Sequence, residues 1–382
     1  MSRETLFRSN ILPIGVRMLL STGLLAGQLL ANDLAPLSDE FDHPSTIADW
    51  QRVHLTEQWN ADQLEAYDID TTQPGRMVMM PYTVSWFANY RGPLSFKDVT
   101  GDFVITTDVR ATGRDGQSIP QAQYSLAGIM IRTPRNITPQ TWTPGGENYV
   151  FLSLGHGDNG GASYQFEVKT TINSNSTLNL SPSPANNVQL QVARLGPYVI
   201  TLRREPGQPW VVHRRYLRND FPATLQVGLV TYTDWLKAQI FTPFVHNSNV
   251  LDPPLPPGVN DPNPNISFSP DLIAGFDYAR YYRPTLPPHL VGADLANAIA
   301  VPDAELLAFL GENANVPANV PALGSGGMAI MAISLVLAFA FVLTRATGSN
   351  RRLSTLSTHG PSTRGRRRSK ASAGLCGSED SK

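Results

Sequence analysis

Hydrolysis of a glycosidic bond needs two carboxyl groups, about 5–5.5 Å apart where configuration is retained. The nearest approach to such a pair is Glu65-Ala66-Tyr67-Asp68-Ile69-Asp70. On a strand Asp68 and Asp70 share a face, because side chains alternate, but no further carboxylate follows to complete the set. A solvated strand edge or turn accounts for these residues as well. His156-Gly157-Asp158 places an imidazole and a carboxylate within three residues, yet Asn159-Gly160-Gly161 follows. Asn-Gly is a tight-turn pair, so a hairpin loop is the simpler expectation. Gly-x-Ser-x-Gly, a phosphate loop and His-Glu-x-x-His are all missing from the sequence. The expectation is therefore a protein without catalysis.

The residues best suited to binding are aromatic. Between Pro81 and Arg91 the sequence reads P-Y-T-V-S-W-F-A-N-Y-R, just before the turn signal Gly92-Pro93. Trp86, Phe87, Tyr90 and Arg91, with Trp142 ahead of Gly145-Gly146-Glu147, form the expected ligand-binding set. Aromatic faces flanked by polar groups suit the stacking of sugar rings. The competing reading is ordinary core packing, since aromatics are strong strand formers.

Charge narrows the partners. Charged residues make up 16% of the 382-residue chain, against about a quarter in average domains. Of 30 Lys and Arg, 3 precede Asn32 and 9 follow Thr344, which leaves 18 for the middle against 28 Asp and Glu. An acidic body argues against nucleic acid, because phosphate binding needs clustered Lys and Arg. Cys376 is the single cysteine, so no intrachain disulfide and no Cys-based zinc site is expected.

The basic ends read as topological signals. Arg3, Arg8 and Arg17 precede an apolar run from Met18 to Ala31, the pattern of a secretory signal peptide with cleavage after Ala31. Its expected partners are the translocon and signal peptidase. A second uncharged run, from Gly327 to Thr344, spans about 27 Å as a helix, just enough for a bilayer core. Arg345, Arg351 and Arg352 follow it, which puts the C-terminus in the cytoplasm and the body outside. The expected layout is a signal peptide at 1–31, one body at 32–285, and a Pro-rich linker at 286–320 with a short helix at 303–312. A sorting signal and transmembrane helix at 321–347 and a basic disordered tail at 348–382 complete it. Val320-Pro321-Ala322-Leu323, then Gly326-Gly327, an apolar helix and an Arg cluster resemble C-terminal sorting signals recognised by exosortases. That resemblance implies an exosortase as partner and release to the cell surface; a plain single-pass anchor is the alternative.

The body is patterned for strands. Phe103, Ile105, Thr107 and Val109 alternate with polar neighbours, as do Val188, Leu190 and Val192, and Leu225, Val227 and Leu229. Further strands are expected at 124–132, 148–155, 163–171, 198–202, 210–217 and 272–282. The polar stretch 173–187 reads as a loop, and a Pro-rich insertion is expected at about 243–270. About ten strands joined by turns predict an all-β sandwich or closed barrel.

Four short motifs carry a more specific resemblance. Asp39-Glu40-Phe41-Asp42 with Asp49-Trp50 resembles the opening strand of concanavalin A-like jelly rolls. Ala127-Gly128-Ile129-Met130-Ile131-Arg132, Gly228-Leu229-Val230 and Phe276-Asp277-Tyr278-Ala279-Arg280-Tyr281 resemble their later strands. The match over about 38–285 is nearest to bacterial regulation-of-enolase-like domains of unknown function. It implies a concanavalin A-like jelly-roll β-sandwich of two antiparallel sheets, and by position a structural calcium near Asp39, Asp42 and Asp277. The expected function is a non-catalytic, exported, lectin-like surface protein that recognises glycan or matrix. A glycoside hydrolase or lyase on the same fold, or a purely structural surface protein, is the alternative.

Overall fold

Alternating stretches with one apolar face can be buried only by pairing into sheets and packing face to face. The computed structural model describes residues 32–313, and there the alternating stretches do this. The expected signal peptide at 1–31, the motif Val320, Pro321, Ala322 and Leu323, the apolar run at 327–344, and the tail with Cys376 lie outside the described residues. Among the described residues no helix is long and apolar enough to cross a membrane.

The strands in chain order are β1 (Gln51–Arg52), β2 (Leu64–Ile69), β3 (Met77–Pro81), β4 (Leu94–Thr100), β5 (Phe103–Thr112), β6 (Ser125–Arg132) and β7 (Tyr149–His156). There follow β8 (Gln165–Ile172), β9 (Asn175–Pro182), β10 (Asn187–Leu195), β11 (Tyr198–Arg204), β12 (Val211–Leu217), β13 (Thr224–Tyr232) and β14 (Ile273–Tyr282). They form a β-sandwich of two seven-stranded antiparallel sheets. The first is ordered β1-β4-β13-β6-β7-β8-β9 and the second β12-β11-β10-β5-β14-β3-β2. Four short α-helices accompany them: α1 (Val53–Thr56), α2 (Trp235–Ala238), α3 (Pro243–Ser248) and α4 (Asp303–Asn313).

The core between the sheets takes every second residue of the central strands. Ala127, Ile129 and Ile131 of β6, Val150, Leu152 and Leu154 of β7, and Leu225, Val227 and Leu229 of β13 face Ile105, Val109, Leu190, Val192 and Phe276 of the second sheet. The other residues of β6, β7 and β13 are buried too, so a further layer covers the outer face of the first sheet.

Three expectations change. The polar stretch after residue 172 contains β9, an edge strand joined to β8 by a turn in which Asn173 and Ser174 have φ of 49° and 64°. Two left-handed residues in succession make the hairpin turn whose twist suits paired strands. Leu178 and Leu180 supply the alternation there. The opening segment is not a full strand: Asp39 makes an isolated bridge to Ala279, and Pro44–Asp49 is a 3-10 helix. The segment expected as a linker packs on the outer face of the second sheet. Leu290, Leu295, Val301, Leu306 and Leu310 cover Val104, Ala193, Ile200, Leu202 and Trp210. Arg215 ties it down by donating to the carbonyls of Val301 (2.6 Å) and Leu295 (3.2 Å) and by pairing with Asp303. The expected helix at 303–312 is α4.

Candidate functional site

Strand register sorts the outer face of the first sheet into rows. One row runs Gln226, Arg132, Tyr149, Thr171 across β13, β6, β7 and β8. The next runs Gly228, Met130, Phe151, Lys169, and a third runs Val230, Gly128, Ser153, Glu167. Rows of this kind on a buried face must have every polar group matched.

The cover is the aromatic segment itself. Val84 bridges to Thr233, and Trp86 is wholly buried against Tyr149, ring centroids 5.6 Å apart, with its indole N–H donating to the Pro93 carbonyl at 3.1 Å. Arg91 is buried as well, and its guanidinium pairs with Glu57 at 2.7 Å. Tyr90 is half-buried and donates to the carbonyls of Gln239 and Phe241. Trp142 stands apart, in a cluster with Trp59 and Phe244. The five expected ligand residues therefore do not form one platform. Trp86 and Arg91 belong to the packed layer, and Phe87 alone among the five lines the aromatic pocket described below.

Two charged groups lie under this cover. In the first, Arg132 Nε and Nη2 donate to Glu147 at 2.8 and 3.1 Å, and Nη1 donates to Glu57 at 2.8 Å and to Gln226 at 2.7 Å. Arg135 adds a bond to Glu147 at 2.6 Å. Burial raises the Glu147 carboxyl, but Arg132, Arg91 and Arg135 together outweigh it and hold it at about 2. In the second group Lys169 Nζ donates to the Trp86 carbonyl at 2.7 Å and pairs with Glu167 at 2.9 Å. Tyr232 donates to Glu167 at 3.0 Å, and its oxygen lies 3.2 Å from the Ser153 hydroxyl. Register makes this reach possible: Tyr232 sits on β13 and Ser153 on β7, and on β6 between them Gly128 offers no side chain. Burial lowers the Lys169 ammonium and raises the Tyr232 phenol well above its ordinary range.

Above the second group opens a pocket of about 160 Å³ lined by Ser85, Phe87, Tyr124, Lys169, Leu178, Tyr232 and Trp235. Phe87 and Trp235 meet edge to face at 5.5 Å. Three non-glycine residues in left-handed backbone border it: Ala88 (φ 51°), Tyr124 (φ 55°) and Asp234 (φ 63°). Such conformations cost about 1–3 kcal/mol each and persist where the surroundings impose them, commonly at ligand sites. Tyr124 and Trp235 were missed from sequence because each stands just outside a strand, Tyr124 before β6 and Trp235 at the start of α2, where alternation gives no signal.

The carboxylate stretch does no chemistry together. Glu65 pairs with Arg114, Asp68 accepts from Thr72, and Asp70 accepts from the Gly75 N–H in a turn. Among the described residues no three His, Cys, Asp or Glu side chains gather as a metal requires. The residues of the expected calcium site do not fit one. Asp39 spends its two oxygens on the Phe41 N–H and the Trp50 indole, while Asp42 and Asp277 are 67% and 50% exposed.

His246, wholly buried, fixes the cover. Its Nε2 accepts from the Ser85 N–H at 3.0 Å, which leaves the proton on Nδ1, 2.9 Å from the Asn247 side-chain oxygen Oδ1. Burial lowers this imidazole to about 4. In the unfolded chain it takes up a proton near pH 6.5, so stability falls as pH drops from about 6.5 to about 4. The expected loss is on the order of 3 kcal/mol from His246 alone. His54 and His213 are also held at about 4, mainly by burial. Urea unfolding of the parent and of His246→Gln at pH 7 and pH 4 therefore isolates this share, and an equal loss in both would show the imidazole free to protonate in place.

No family model and no curated protein matches the sequence. Solved structures similar to part of the chain include glycoside hydrolases, a lectin and a protein of unknown function. A GH43 protein from Bacillus licheniformis, BlXynB, is 14% identical with a TM-score of 0.41 over 64% of this chain and 39% of that one. A functionally unknown protein from Saccharomyces cerevisiae is 11% identical, TM-score 0.40, over 63% and 99% of the two chains. A Bauhinia forficata lectin in complex with GalNAc is 9% identical, TM-score 0.31, over 54% and 80%. The chain thus spans about two fifths of the GH43 structure. Several similar structures are glycoside hydrolases, so the expectation of a protein without catalysis is corrected and dropped.

Proposed function

We propose that this protein is directed at carbohydrate and that its sugar site is the pocket walled by Phe87, Tyr124 and Trp235. The observation that carries the reading is the pocket's make-up. Its volume of about 160 Å³ has room for one six-membered ring. Its walls offer aromatic faces, and Ser85, Lys169 and Tyr232, almost wholly buried, line its base. Apolar walls with a few placed polar groups are what small-ligand sites use. Glu167 lies beneath the pocket, wholly buried and engaged by Lys169 and Tyr232, so it supports the pocket floor. The proposed setting is outside the cytoplasmic membrane, which rests on the sequence signals at 1–31 and 321–347.

Trp235→Ala tests the reading, because Trp235 is half-buried at the rim and its loss leaves the core layer intact. The full chain is exposed to a broad glycan array and assayed for reducing-sugar release from the bound glycans. Binding is expected, and Trp235→Ala is expected to weaken it at least tenfold at an unchanged Tm, in line with about 1–3 kcal/mol for a lost aromatic contact. Release of reducing sugar would add cleavage to recognition. An array left blank by a folded sample would end the carbohydrate reading.

A further inference from the structure

A second cavity, of about 600 Å³, lies against the first pocket. Gln121, Gln123, His156, Asp158, Asp234 and Leu236 are among its lining residues. The two share a wall. Tyr124 and Trp235 line the pocket, while their chain neighbours Gln123, Asp234 and Leu236 line the cavity. The Trp235 N–H donates to the Gln123 carbonyl at 3.0 Å, which ties the two halves of the wall together. The Tyr124 N–H donates to the Gly157 carbonyl at 3.0 Å, which fixes the wall to the loop that carries His156 and Asp158. Left-handed backbone at Tyr124 and Asp234 is the local means by which adjacent side chains serve opposite sides.

The far side of the cavity is held in place by Asp234. Its carboxylate accepts from the Thr83 hydroxyl at 2.6 Å and the Ser269 N–H at 2.9 Å, which anchors the segment that brings Ser267 and Ser269 to the lining. His156 Nε2 accepts from the Gly161 N–H at 2.7 Å, so Nδ1 carries the proton. That buried Nδ1 lies among the Pro120, Gln121 and Ala122 carbonyls with none in hydrogen-bond geometry. The lining is rich in amide, hydroxyl and carboxylate groups and includes no Lys or Arg. Amides and hydroxyls match neutral hydroxylated rings, and Asp158 and Asp234 repel uronates and sulfated sugars.

We propose that the cavity is a second subsite of the same binding site. A linear, uncharged oligosaccharide seats one ring in the aromatic pocket and its following units in the cavity. This rests on the carbohydrate reading of the pocket and adds the class of glycan: a neutral chain, read by length. A cavity of this volume falls within the 300–1,000 Å³ of ligand sites larger than one ring.

The test is calorimetric titration of the full chain with cello-, xylo- and chito-oligosaccharides of one to six units, and with oligogalacturonates of the same lengths. For at least one neutral series the affinity is expected to rise tenfold or more between one and three units. Gln123→Ala and Asp158→Asn are each expected to remove that rise and to leave single-unit binding and Tm unchanged, whereas Trp235→Ala weakens every length. Single-unit binding without a gain on lengthening would overturn the second subsite and leave the pocket reading standing. So would a gain that survives both cavity variants. Tighter binding of oligogalacturonates than of every neutral series would overturn the neutral class, and no binding of any probe would overturn the pocket reading along with it.

Discussion

Arg132→Ala is expected to cost about 3–5 kcal/mol and to leave little folded protein at neutral pH. Arg132 has no exposed surface, and its guanidinium serves Glu147 twice, Glu57 once and Gln226 once. Truncation removes four donated bonds in a layer where water does not replace them, and leaves Glu57 with Arg91 and Glu147 with Arg135 as remaining charged partners. Arg91 and Arg135 still face Glu147, at 3.6 and 2.6 Å, but neither takes over the forked contact. Arg132→Lys is expected to recover only part of the loss, because an ammonium cannot match a planar fork with two carboxylates. Urea midpoints of the two variants against the parent measure the effect, and a cost below about 1 kcal/mol for alanine would show the network to be dispensable. The same network adds to acid sensitivity. With its folded carboxyl at about 2, Glu147 lends stability that is lost as pH falls from about 4.5 toward 2, overlapping the end of the His246 loss near pH 4.

Gly128→Ala is expected to be nearly as severe. A Cβ there would lie 2.1 Å from the Leu152 carbonyl oxygen and 2.6 Å from the Ser153 Cα. Both belong to the backbone of β7, so no side chain can swing aside and the two strands must separate. Overpacking of well-filled interiors costs typically 1–3 kcal/mol, and a backbone clash at the centre of a buried sheet belongs at or above the top of that range. Separation of β6 from β7 would also break the Tyr232–Ser153–Glu167 contacts that Gly128 permits. Gly207→Ala serves as the control: it sits in a turn at φ 72° with nothing within 4 Å of the added Cβ, so only backbone strain of about 1 kcal/mol is expected. Thermal unfolding of both variants decides it, and equal Tm losses would show that close strand approach is not what Gly128 serves.

These two positions show how far the sequence could be read. Gly128 and Arg132 both lie in the motif at 127–132, and Gly228, whose Cβ would meet the Ser95 carbonyl oxygen at 2.0 Å, lies in the motif at 228–230. Their places in strands were legible because alternation is a local property that any window of eight residues displays. Why a glycine or an arginine stands there was not legible, since the partners Leu152, Ser95, Glu57 and Glu147 come from other strands and loops. The aromatic segment at 81–91 misled for a similar reason. Its composition suits a sugar platform and a hydrophobic plug equally, and only the bridge from Val84 to Thr233 and the bond from His246 to Ser85 fold it inward. The pocket that remains draws Phe87, Tyr124, Lys169, Tyr232 and Trp235 from stretches far apart in the chain.

Taken alone, the sequence determined the strand-rich body, its all-β class as a sandwich or closed barrel, and the hairpin at 156–161. Each follows from residue type and near-neighbour spacing, which act before the chain has collapsed. The tertiary structure decided that the first sheet's outer face is filled rather than open, that the segment after residue 285 is a packed third layer, and which aromatics border a cavity. Those outcomes depend on which surfaces meet, and burial against a distant partner outweighs any local preference.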